Sequence, residues 1–138
     1  MEMVKKFLFA ALAITLSSAC GTFPVVHNVK ASPIFGVDNH SLKYVEESIL
    51  DIQNRNKYWT MQVAKPGHIV ASFKYEELRA TVDITFNTKE YNIIYKNSEN
   101  LDYDGQRINA RYNRWVLKLE RNIRSALQKR HKTLNQNQ

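Results

Sequence analysis

A chain with one cysteine cannot build a disulfide framework. Cys20 stands alone among 138 residues. Oxidising compartments favour even cysteine counts, so this thiol needs another chemical fate. Histidines are few and dispersed: His27, His40, His68 and His131 show no His-x-x-x-His spacing. Zinc sites draw on clustered Cys and His ligands, so no metal is expected. None of the four glycines builds an elbow around a serine, and nucleophilic catalysis needs a nucleophile with a base and an orienting group. Neither a catalytic residue nor a cofactor is indicated. Long apolar runs are also missing: Phe7–Leu16 falls short of the roughly 20 residues that cross a bilayer as a helix. Acidic residues almost vanish near the C-terminus. From Arg107 onward nine basic residues face Glu120 alone.

What is present begins with MEMVKKFLFAALAITLSSAC. Lys5 and Lys6 precede a short apolar run, and Ser17-Ser18-Ala19 lead into Cys20. That is the layout of a secretory signal peptide. The stretch resembles a bacterial lipoprotein signal, although the family pattern prefers Leu three residues before the cysteine and Ser17 stands there. The resemblance implies cleavage before Cys20, diacylation of its sulfur and a membrane held through that lipid. Two or more acyl chains make such an anchor stable. Gly21, where enteric sorting places Asp for inner-membrane retention, implies the periplasmic side of the outer membrane in a Gram-negative host. An ordinary signal peptide cut near Ala19, leaving a free thiol, is the alternative. Export argues against a nucleic-acid partner.

Residues 1–19 are thus expected as signal peptide and 20–40 as a lipid-anchored tether. The tether carries Pro24, Pro33, Gly21 and Gly36 and shows no period. As a flexible coil, about 20 residues span on the order of 25 Å. Phe23, Val25, Val26, Ile34 and Phe35 are too many apolar residues for a solvated linker, so part of it packs on the domain or adds an edge strand. A domain is expected over 41–129 and a polar tail over 130–138.

Within the domain, Ser41–Arg55 has an N-cap serine and an apolar face of Leu42, Val45, Ile49 and Ile52. From Lys57 the period changes to two. Four strands follow: one through Trp59, Met61 and Val63, one over Ile69–Tyr75, one over Leu78–Phe86 and one over Tyr91–Tyr95. After the loop Ser98–Gly105, Arg107–Lys129 has an apolar stripe of Ile108, Tyr112, Trp115, Leu119, Ile123 and Ala126 or Leu127. The fold class is α+β: a two-layer sandwich with an N-terminal helix, a four-stranded antiparallel meander and a long C-terminal helix packed on one sheet face. SENLDYDG followed by INARYNRWVLKLE also resembles a group of small bacterial lipoproteins without an assigned activity, over roughly Trp59–Ile123.

Asn100-x-Asp102-x-Asp104-Gly105 matches the front half of a calcium loop, but Arg111 stands where a bidentate Glu belongs. A helix-capping turn is the plainer reading. Trp59, Tyr75, Tyr91, Tyr95, Tyr112 and Trp115 read as core. The strongest functional candidate is the stripe Arg107, Arg111, Arg114, Lys118 and Arg121. A solvated helix face is the bland alternative, yet too few acids are present for i,i+4 pairing to be its purpose. The stripe suits an envelope protein or an anionic envelope polymer. A second reading is a small-ligand carrier or enzyme on the polar sheet face of Arg79, Thr81, Asp83 and Thr85, with His68 near Asp83. A third is self-association through a free sheet edge.

Overall fold

Alternation of apolar and polar residues on four consecutive segments produces an antiparallel meander, and the computed structural model, which describes residues 22–35 and 41–136, contains it. The elements are β1 (Val29–Pro33), α1 (Leu42–Arg55), β2 (Trp59–Lys65), β3 (His68–Tyr75), β4 (Leu78–Phe86), β5 (Glu90–Glu99) and α2 (Ala110–Gln136). The fold is α+β. Ser41 caps α1 as its sequence implies, its side chain accepting the Tyr44 N–H. Between β2 and β3 the turn depends on Gly67 at φ 79; its carbonyl accepts the Phe86 N–H at 2.9 Å. A Cβ there would meet the Phe86 carbonyl oxygen at 2.8 Å.

The expected four strands and leading helix require correction. The sheet has five strands in the order β1-β5-β4-β3-β2, and a strand, not a helix, comes first. β1 lies antiparallel beside β5, with Val29 opposite Ile93 and Ser32 opposite Tyr91. It is the edge strand that the apolar residues of 20–40 left open as one of two outcomes, but its bounds could not be read because it is short, carries Pro33 and is bulged, with Ala31 at φ 48, so no alternation develops. Side chains replace the missing ladder bonds. Asn28 Oδ1 accepts the Tyr95 N–H and Asn92 Oδ1 accepts the Ala31 N–H, both at 2.8 Å. A proline-bearing bulged strand is a suitable sheet edge because it offers little to another chain. Of the segment expected as tether, 22–35 is therefore folded onto the domain; the remainder of it, with Cys20, lies outside the described residues.

Two other boundaries differ. β5 continues to Glu99, into the segment read as loop, because a bulge near Thr81 keeps Asn97, Ser98 and Glu99 paired with β4. The last helix begins at Ala110 rather than Arg107. Asp104 Oδ1 accepts the N–H groups of Gln106 and Arg107 at 2.8 and 2.7 Å, which closes a turn, while Asn109 Oδ1 accepts the Arg111 N–H at 3.0 Å. α2 also runs on to Gln136 through the supposed tail, where Arg130 pairs with Glu47 of α1.

Both helices contribute to one core with the apolar face of the sheet. Ile69, Val82, Ile84, Tyr91 and Ile93 from the strands and Tyr112, Val116, Leu119 and Ile123 from α2 are fully buried, each large aliphatic contributing roughly 1.5–3 kcal/mol. Phe73 stacks on Trp115 with ring centroids 4.2 Å apart and meets Trp59 edge-on. Tyr44 of α1 donates its hydroxyl to the Leu127 carbonyl at 3.4 Å. Tyr75, expected in the core, is exposed instead, as is Val63. Both sit toward strand ends.

Candidate functional site

The cationic stripe is built by helical spacing. Arg111, Arg114, Lys118 and Arg121 recur at three and four residues, so they share the side of α2 turned away from the buried stripe of Tyr112, Val116, Leu119 and Ile123. All four are exposed. Among the described residues none of the four has a carboxylate partner. The contrast with their neighbours is informative: Arg124 reaches Glu120 at 2.9 Å, Arg130 pairs with Glu47 and Arg55 with Asp51. Exposed pairs of this kind contribute little stability, but they do neutralise charge, and the stripe is left without that neutralisation. Arg114, Leu117, Lys118, Glu120, Arg121 and Arg124 line an open cleft of about 560 Å³. Leu117, half-exposed amid these cations, and Arg124 were not singled out by sequence; their place on the face follows from the same helical spacing.

Arg107 behaves differently. It precedes α2, and its Nη1 donates to the Phe23 carbonyl at 2.8 Å while its backbone bridges Val25. The Ile108 N–H donates to the Pro24 carbonyl at 3.0 Å and the Val26 N–H to the Gln106 carbonyl at 2.9 Å. Asn113 completes the seam from the first turns of α2, donating from Nδ2 to the Val25 carbonyl at 2.9 Å. Arg107 is thus a staple for the N-terminal segment as well as a surface cation.

On the opposite sheet face, His68 and Asp83 do meet. His68 Nε2 lies 2.7 Å from Asp83 Oδ1, and Lys96 Nζ donates to both carboxylate oxygens at 3.2 and 3.3 Å. Burial tends to raise the Asp83 pKa, but the bonds from His68 and Lys96 outweigh it and hold the carboxyl below its ordinary value. Ser72 and Thr81 bond each other through their hydroxyls at 3.3 Å. The cluster is a hydrogen-bonded ladder across three strands, and among the described residues no hydroxyl bonds to His68. Arg79, the other cation noted on this face, pairs with Glu99 at 3.3 Å.

Asn100 and Asp104 of the calcium-like loop are engaged in hydrogen bonds within the fold. Asn100 donates to the Glu77 carbonyl at 2.7 Å, and the Asp104 carboxylate receives the Arg107 and Gln106 N–H groups, which lower its pKa. Among the described residues no three His, Cys, Asp or Glu side chains gather as a metal site, and no helix is long and apolar enough to cross a membrane. Between the end of α1 and α2 lies a groove of about 740 Å³ of mixed character, whose lining includes Asp51, Ile52, Tyr58, Lys118, Asn122 and Ala126. No family model, curated protein or solved structure matches this chain.

Proposed function

We propose that the chain is a lipid-anchored protein of the bacterial envelope, held on the periplasmic side of the outer membrane through Cys20, with a small non-catalytic binding domain. The carrying observation is the exposed row Arg111, Arg114, Lys118 and Arg121, which has no carboxylate partner among the described residues. From Arg111 to Arg121 the helix rises about 15 Å, and successive cations are about 4.5–6 Å apart along its axis, inside the screening length of about 8 Å, so the row acts together on one anionic surface. The contact surface is this face of α2, and its partner is anionic.

In-cell photo-cross-linking tests the assignment. A photoreactive side chain in place of Arg114 or Lys118 is expected to give specific adducts, and one in place of Thr81 none. Adducts from Thr81 alone overturn it in favour of the second reading, a ligand carrier or enzyme on the sheet face, which the His68–Asp83–Lys96 cluster favours.

A further inference from the structure

We infer that the partner of the α2 face is the anionic bilayer surface carrying the Cys20 anchor, with α2 lying along the headgroups and the sheet turned away from them. This rests on the lipid-anchor reading of Cys20. Its independent support is that the described chain is held to the domain from Phe23 onward. A tether over 20–40 would let the domain float some 25 Å from the membrane. Instead the fold holds Phe23 and Pro24 against Arg107 and Ile108, and Asn113 holds Val25 and His27. Only Gly21 separates Cys20 from Thr22. At about 3.3–3.6 Å per residue, the Cys20 and Thr22 Cα atoms are at most about 7 Å apart.

The anchor therefore emerges beside the start of α2, which brings Arg107 and Arg111 close to one screening length, about 8 Å, of the headgroups. Each Lys or Arg at that depth shifts the docked-to-free ratio roughly fivefold on an anionic surface. Apolar residues accompany the charges: Phe23 and Val25 are 39% and 50% exposed at the entry of the chain, and Leu117 is 48% exposed among the cations. Side chains of this kind settle at the boundary of headgroups and acyl chains. The main apolar stripe of α2 is committed to the core, so the helix rests on the surface through its charges and Leu117 instead of sinking into it.

The test uses the protein purified from bacterial membranes after expression of the whole 138-residue chain, reconstituted into phosphatidylcholine vesicles with and without phosphatidylglycerol. Spin labels are placed by Leu117→Cys or, on the outer face of the sheet, Gln62→Cys, and a nickel-chelating lipid reports proximity to the headgroups. The expected result is strong relaxation of the Leu117 label and little of the Gln62 label in anionic vesicles. The Leu117 signal should fall to the Gln62 level without phosphatidylglycerol, in high salt, or in Arg111→Gln/Arg114→Gln/Lys118→Gln protein whose thermal melt is unchanged. Equal relaxation of both labels in anionic vesicles overturns the inference. Mass spectrometry of the N-terminal peptide separates the two failures. An unacylated Cys20 overturns the anchor and the inference together, whereas acylated protein with equal labels overturns the docked face alone.

Discussion

Asn113 Oδ1 accepts the backbone N–H of His27 at 2.9 Å, across 86 residues of sequence. The same carboxamide donates from Nδ2 to the Val25 carbonyl at 2.9 Å. One side chain of α2 thus satisfies two backbone groups of a segment that has only an isolated bridge and a short bulged strand of its own. Asn113→Ala removes both bonds and leaves the His27 N–H without its acceptor. The expected cost is about 1–3 kcal/mol, concentrated in the N-terminal segment. Hydrogen exchange of the Val26 and His27 amides should accelerate while the amides of β3 and β4 keep their protection. Uniform loss of protection would show that the segment does not open separately from the core.

Tyr112 presents the reverse case. Its hydroxyl is buried and has no hydrogen-bond partner among the described residues, and burial, with Tyr95 and Tyr103 adding to it, pushes its ionisation upward. An unpartnered buried hydroxyl costs stability where it stands. Tyr112→Phe should therefore be neutral or stabilising by up to about 1 kcal/mol, whereas Tyr112→Ala should lose about 3–5 kcal/mol. Chemical denaturation of the two variants measures this. A large loss for the phenylalanine variant would mean that the hydroxyl has a partner, such as a bridging water.

Asp83 governs a pH response. Its folded pKa lies below the reference value of 3.8, so its bonds to His68 and Lys96 stabilise the fold fully above that value. Their contribution declines as pH falls through 3.8 and onward through the folded pKa. Asp83→Asn should lower stability at neutral pH by about 1 kcal/mol, and the difference from the parent chain should shrink in acid. Thermal melts at neutral and acid pH provide the comparison; a gap that persists at the acid end would assign the loss to packing instead of charge.

Periodicity carried much of the fold because it is a local property. The stripe Val45, Ile49, Ile52 and the alternation Ala80, Val82, Ile84, Phe86 are both buried as their spacing implies. Boundaries were less legible where side chains intervene. The Asp104 and Asn109 side chains move the start of α2 to Ala110, and a bulge extends β5. The cationic side of α2 could be read from its spacing, but which cations find a carboxylate could not. Glu47 is 83 residues from Arg130, and only packing of α1 beside α2 brings them together.

Sequence alone determined the class of the fold, the amphipathic faces of both helices and the concentration of positive charge after Arg107, since each depends on residue type and short-range spacing. The tertiary structure decided the fate of 22–35. β1 forms because β5 offers it a free edge, Asn28 and Asn92 repair the ladder across the bulge, and Arg107 and Asn113 hold what precedes it. Those partners lie more than sixty residues away along the chain, beyond the reach of any local pattern. It is their bonds that turn an apparent tether into part of the domain.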